Sequence, residues 1–63
     1  MRLDEYMEAT ALSDAALAER IGVARATVTR YRNQRRTPRR EIMQRIIQVT
    51  RGKVTANDWL EAV

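Results

Sequence analysis

A single glycine, Gly22, most constrains how this chain can fold. It follows an alanine-rich segment that begins after Ser13, and only two residues separate it from the next segment with helical periodicity. Serine is a preferred residue before the first turn of a helix, and glycine is preferred directly after the last turn. The spacing therefore predicts a helix from Asp14 to Ile21, a sharp turn, and a second helix from Arg25 to Asn33.

The residues around Gly22 meet the packing requirements of two helices that cross at such a turn. Ala18 is small enough for close approach, and Val28 and Tyr31 give the second helix one apolar side. Two helices joined by a short turn that contains glycine form a helix-turn-helix. An ordinary helical hairpin in a small bundle is the alternative, but it does not explain why the outer side of the second helix is polar and free of acids.

Three further segments have the apolar spacing of helices. They run from Asp4 to Ala9, from Arg39 or Arg40 to Val49 or Thr50, and from about Ala56 to Ala62. Thr55 to Asp58 also has a capping-box pattern, with Asp in place of the usual Glu. We therefore predict one all-α domain over residues 1–63, a compact bundle of four or five helices in which helices 2 and 3 form the helix-turn-helix.

Positive charge is concentrated in the second of these two helices and the loop after it. Residues 24–40 contain seven arginines and no acid, whereas residues 1–23 contain five acids and two arginines. A guanidinium binds phosphate and guanine edges through paired hydrogen bonds, and a run of like charges repels itself without an anionic partner. The charge pattern favours nucleic acid as the partner, with a solvated basic surface as the alternative.

Several functional classes are excluded by the residue types that are missing. The chain has no Cys and no His, and its one serine is assigned to a helix cap. Thiolate and imidazole metal ligands and imidazole acid–base catalysis are therefore excluded. We expect no enzymatic activity, no cofactor and no small-molecule ligand.

The composition also argues against RNA and membranes as partners. Only three residues are aromatic, Tyr6, Tyr31 and Trp59, and all three are expected inside the fold, which leaves no stacking platform for RNA bases. The acidic start of the chain is unlike a signal peptide, and no segment is apolar for long enough to span a bilayer. We expect a soluble intracellular protein.

The central residues resemble a known family. Leu12-Ser13-Asp14, Leu17-Ala18 and the run from Ile21 to Val28 are similar to the Cro/repressor-type helix-turn-helix, and Asn33 to Pro38 resembles that family's Asn-Gly-basic-x-Pro loop. Residues 3–7 and 52–57 also resemble short phage Cro repressors and related phage-borne regulators. The resemblance implies a five-helix domain, usually a homodimer on a partly palindromic operator in double-stranded DNA. It also implies repression of transcription at the nucleoid of a prokaryotic cytoplasm.

Positions along the second helix suggest which residues contact DNA. In this docking mode the first part of that helix meets base edges in the major groove. The candidates for base contacts are Arg25, Ala26, Thr29 and Arg30. Arg30 is the best candidate for a paired contact to guanine, followed by Arg25, and Ala26 or the Thr29 methyl group would suit a thymine methyl group. The candidates for phosphate contacts are Thr27, Arg32, Asn33, Arg35, Arg36, Arg39 and Arg40.

Two residues depart from the family pattern. Asp14 stands where the family often has Gln, and a carboxylate does not favourably meet phosphate. We expect Asp14 to brace the second helix through a charge-assisted hydrogen bond with Arg25, and a favourable charge at its own helix N-terminus is the alternative. Ala24 stands where the family often has a serine or threonine cap, so the start of the second helix is expected to lack one.

Trp59 has two possible positions. It is expected to complete a thin core, and the alternative places it with Val54, Leu60 and Val63 at a dimer interface.

Two functions remain open at this point. The first is a sequence-specific DNA-binding regulator, and the second is a protein-interaction module, such as an antitoxin or an adaptor, that uses the same fold.

Overall fold

The computed structural model describes residues 1–60, and within that range it contains five helices and no strand. The helices are α1 Leu3–Ala9, α2 Asp14–Ile21, α3 Arg25–Arg32, α4 Arg40–Val49 and α5 Asn57–Leu60. The predicted all-α bundle is confirmed, as is the close packing of α2 against α3. The predicted end of the last helix at Ala62 lies outside the described residues.

The helix α2 begins and ends at the residues that its sequence predicts. The Ser13 hydroxyl accepts a hydrogen bond of 3.1 Å from the Ala16 N–H. Gly22 has the left-handed φ of 74°, and its N–H donates to the Ala18 carbonyl at 2.9 Å. Both ends of α2 are thus set by local chemistry.

The core forms where α1, α2, α3 and α4 meet. Its buried apolar side chains are Leu3, Met7, Leu17, Ala18, Ile21, Val28, Tyr31, Ile42, Met43, Ile46, Val54 and Trp59. Ala18 is among them, at the close approach of α2 and α3. Because this core draws on every helix, the orientation of each helix depends on the others.

Side chains from later in the chain bind the carbonyl groups that end α2 and α3. Arg45 Nη1 donates to the Ile21 carbonyl at 3.0 Å, and Trp59 Nε1 donates to the Tyr31 carbonyl at 3.1 Å. The last carbonyl groups of a helix have no partner inside it. The Arg45 bond gives the Ile21 carbonyl a partner, and the Trp59 bond gives the Tyr31 carbonyl a second donor beside the Gln34 N–H. They also attach α4 and α5 to the two helices of the helix-turn-helix.

Trp59 lies in the core, as expected, and is 4% exposed. The alternative position at a dimer interface is wrong for Trp59 and for Val54, since both are buried within the protein itself. Leu60 is exposed, and Val63 lies outside the described residues. One half of the predicted capping box is found, because the Thr55 N–H donates to Asp58 Oδ2 at 2.7 Å, whereas the Asp58 N–H donates to the Thr55 carbonyl at 3.1 Å.

None of the five helices in residues 1–60 combines the length and the apolar content that crossing a bilayer requires.

Candidate nucleic-acid interface

The helix α3, called the reading helix below, is attached to the protein through one side only. Val28 and Tyr31 are buried, whereas Arg25, Ala26 and Arg30 are exposed. A helix has 3.6 residues per turn, so these two groups lie on different sides of it. Three of the four predicted base-contact residues therefore lie on a surface open to a partner, and the fourth, Thr29, is half-buried.

The reading helix starts without a side-chain cap, as expected from the alanine at position 24. Ala24 takes the extended backbone conformation of a cap residue, with φ −72° and ψ 151°, but has no side-chain oxygen that could accept a hydrogen bond. Its carbonyl accepts from the Thr27 N–H at 3.0 Å. The first N–H groups of the helix therefore remain available to an anion, which the helix dipole also favours.

Asp14 connects the start of α2 with the reading helix. Its Oδ2 accepts a hydrogen bond of 2.6 Å from the Thr29 hydroxyl. Its Oδ1 lies 3.1 Å from Arg32 Nε, in an ion pair whose N–H is not aligned for a hydrogen bond. Asp14 thus contacts the reading helix, but through residues other than the one predicted.

The predicted contact between Asp14 and Arg25 is wrong. In the described part of the chain the carboxylate pairs with Thr29 and Arg32, and Arg25 has no ion pair with it. Arg25 precedes Thr29 by four residues, about 6 Å along the helix axis. The short Asp14 side chain lies beside Thr29 and Arg32, further along the reading helix, so Arg25 stays free to meet a partner.

The predicted phosphate-contact residues fall into two groups. Arg32 is half-buried and already paired with Asp14, and Thr27 is half-buried. The others are exposed, and within residues 1–60 no acid pairs with any of them: Asn33, Arg35, Arg36, Arg39 and Arg40. The exposed arginines form a basic surface along the loop after the reading helix, from Arg35 to Arg40 at the start of α4.

The loop after the reading helix turns at Gln34, which has the left-handed φ of 63°. Its N–H donates to the Tyr31 carbonyl at 3.2 Å, and the Arg35 N–H donates to the Arg30 carbonyl at 2.9 Å. These two bonds form the Schellman motif that ends many helices, usually with glycine in the left-handed position. The motif ends the reading helix and starts the loop that carries the exposed Arg35 and Arg36.

Sequence reasoning missed the roles of Arg45 and Gln34. A Cβ atom at Gly22 would lie 2.9 Å from Arg45 Nη1, so the glycine leaves room for the guanidinium as well as forming the turn. No short-range pattern indicates a contact between residues so far apart in the chain. The left-handed conformation of Gln34 did have a signal, because Gln34 stands where the resembling loop has glycine.

A family model described as helix-turn-helix matches residues 3–55, a range that contains α1 to α4 and the whole of the surface described above. No curated protein and no solved structure gives a match. The matched range covers most of the chain, and the packing of α2 and α3 agrees with it. The chain therefore belongs to the helix-turn-helix family of DNA-binding regulators, the family that includes Cro/C1-type repressors.

Proposed function

We propose that this protein is a sequence-specific regulator of transcription, acting as a Cro-like repressor of phage or prophage genes. It binds double-stranded DNA as a homodimer on a partly palindromic operator, at the nucleoid of a prokaryotic cytoplasm. One observation carries the proposal: the reading helix is attached through Val28 and Tyr31, while its arginine-bearing side is exposed. A helix presented in this way fits the major groove, which is about 12 Å wide.

Base recognition rests on the exposed residues of the reading helix. Arg30 would contact guanine through two hydrogen bonds, and Arg25 would do so at a different base pair. The two residues are five positions apart, about 7.5 Å along the helix axis, which is slightly more than two base-pair steps of about 3.4 Å. Ala26 and Thr29 lie between them and would face the intervening bases.

Phosphate binding rests on two features that flank these residues. The uncapped N–H groups after Ala24 would receive a phosphate at the start of the reading helix. The exposed arginines at 35, 36, 39 and 40 would contact the backbone beyond its end. If about 6–10 phosphates are contacted, affinity should fall about 10³- to 10⁵-fold between 50 and 200 mM salt.

The dimensions of the protein suit one half-site of a two-fold operator. The described residues extend over 26 × 22 × 19 Å. Half-sites one helical turn apart are separated by about 34–36 Å, so two copies would bind side by side on one face of the duplex. A homodimer of this kind predicts a palindromic site with that spacing.

The decisive experiment is selection of bound sites from a pool of random duplex DNA. We expect one enriched, partly palindromic sequence, and its two halves should be about one helical turn apart. Binding that is insensitive to salt, or enrichment of no sequence, would contradict the proposal. Retention of an acidic protein partner without DNA would instead favour a protein-interaction module such as an antitoxin or an adaptor.

Arg30→Ala and Arg36→Ala form a matched pair for this experiment, since both remove an exposed guanidinium. Arg30→Ala should weaken binding by about 1–3 kcal/mol and relax the preference at one base pair per half-site. Arg36→Ala should weaken binding to all sequences equally. It should also reduce the slope of log affinity against log salt concentration by about one, the value of one phosphate contact. Equal effects of the two changes on sequence preference would argue against base contact by Arg30.

A further inference from the structure

Asp14 uses both oxygens of its carboxylate to contact the reading helix. Oδ2 accepts from the Thr29 hydroxyl at 2.6 Å, and Oδ1 lies 3.1 Å from Arg32 Nε. The Asp14 side chain is 21% exposed, so it is largely shielded from water. Two partners on one carboxylate hold it in a single orientation.

This arrangement determines what the Thr29 side chain can offer to DNA. A threonine hydroxyl has one proton to donate. The 2.6 Å bond to a charged acceptor takes that proton in preference to the Arg25 carbonyl, which lies 3.3 Å from the same oxygen. The hydroxyl therefore has no proton left to donate to a base, and the side chain can offer a base only its acceptor lone pairs and its methyl group.

We infer that Asp14 is a positioning residue that makes Thr29 recognise the methyl group of thymine, which no other DNA base carries in the major groove. The inference rests on the proposed function, because it assumes that the reading helix enters that groove. Ala26 precedes Thr29 by three residues, so it is a neighbour on the same side of the helix and is exposed. The two methyl groups would together offer thymine an apolar contact in the part of the helix between Arg25 and Arg30.

A purely structural role for Asp14 makes a different prediction. A carboxylate in the first turn of α2 also stabilises the helix dipole, and its loss would lower stability. That loss would weaken binding to every duplex by the same factor. A ratio of affinities for two duplexes, measured with the same variant, is therefore insensitive to it.

The experiment compares thymine with deoxyuridine, which lacks only the methyl group. The probe is the duplex that the wild-type protein selects from random DNA, with each thymine replaced in turn. We expect one position in each half-site where the wild-type protein loses about fourfold in affinity, the value of one buried methyl group. T29S keeps the hydroxyl and its bond to Asp14 but lacks the methyl group, so it should bind both duplexes equally.

Three variants test the part played by Asp14. D14N keeps an oxygen that can accept from Thr29 and should retain the thymine preference, whereas D14A has no acceptor and should lose most of it. E19A removes a different carboxylate from the same helix. Glu19 is exposed and forms no ion pair within residues 1–60, so this variant should behave as the wild type does. Circular dichroism gives the folded fraction of each variant.

The outcomes separate this inference from the proposed function. Selection of no preferred sequence by the wild-type protein would overturn both. A selected sequence in which no thymine shows the loss, or a loss that persists in T29S, would overturn recognition by the Thr29 methyl group while leaving sequence-specific binding intact. A thymine preference in D14A equal to that of the wild type would overturn the positioning role of Asp14.

Discussion

Replacing Gly22 by alanine tests the turn that sets the orientation of the reading helix. Gly22 has a φ of 74°, which is in the left-handed region. A Cβ at this position would lie 2.9 Å from Arg45 Nη1, the atom that donates to the Ile21 carbonyl at 3.0 Å. The substitution would therefore strain the backbone and also displace a guanidinium from the end of α2.

The structure allows the two contributions to be estimated separately. The left-handed conformation costs a residue with a Cβ atom about 1–2 kcal/mol. The end of the Arg45 side chain is flexible and will move, and losing its partly exposed hydrogen bond adds about 0.5–1.5 kcal/mol. We expect a total loss of about 1.5–3.5 kcal/mol in the free energy of unfolding, or about 6–28 °C in Tm for a chain of this size.

Urea and thermal unfolding, followed by far-UV circular dichroism, measure this loss. Gly52→Ala is the matched control, because Gly52 also has a left-handed φ of 80°, but a Cβ added there would have no atom within 4 Å. It should show only the backbone contribution of about 1–2 kcal/mol. In an Arg45→Ala background, Gly22→Ala should likewise cost only that amount.

Two results would refute the reasoning. If Gly22→Ala costs no more than Gly52→Ala, the guanidinium of Arg45 contributes nothing to the turn. If Gly22→Ala costs less than about 0.5 kcal/mol, the range of an ordinary surface substitution, then the turn does not require the left-handed conformation.

Two further predictions concern the end of the reading helix. Gln34→Gly should raise the free energy of unfolding by about 1 kcal/mol, since Gln34 has a φ of 63° where glycine is unstrained, and lower stability in urea unfolding would contradict this. The variant should select the same DNA sequence as the wild type. Trp59→Phe keeps most of the apolar contact but removes the donor to the Tyr31 carbonyl, so it should cost about 1–2 kcal/mol. A loss below about 0.5 kcal/mol would show that this bond contributes little to stability.

Helix positions and the exposed side of the reading helix were predictable because they depend on local chemistry. Ser13 and Gly22 define the ends of α2 through hydrogen bonds to residues within four positions. Val28 and Tyr31 are three residues apart, and this spacing alone places them on one side of a helix. The candidate base contacts followed from that side being buried.

Contacts between helices were not predictable in the same way. The sequence predicts that Asp14 contacts the reading helix, and it does, but its partners Thr29 and Arg32 lie about one and two helical turns beyond the predicted Arg25. Residue spacing shows which side of a helix faces its neighbour. It does not show how far one helix is shifted along the other, and this shift selects Thr29 and Arg32 over Arg25.

The sequence by itself determined the ends of α1 to α4 to within one residue, which sides these helices bury, and where positive charge accumulates, because each property depends on neighbouring residues in the chain. Only the tertiary structure decided that Asp14 binds the Thr29 hydroxyl, that Arg45 fills the space beside Gly22, and that Trp59 binds the carbonyl of Tyr31. The physical reason is that a hydrogen bond forms only when its two atoms come within about 3 Å. Such a distance between remote residues is fixed by the packing of the whole core.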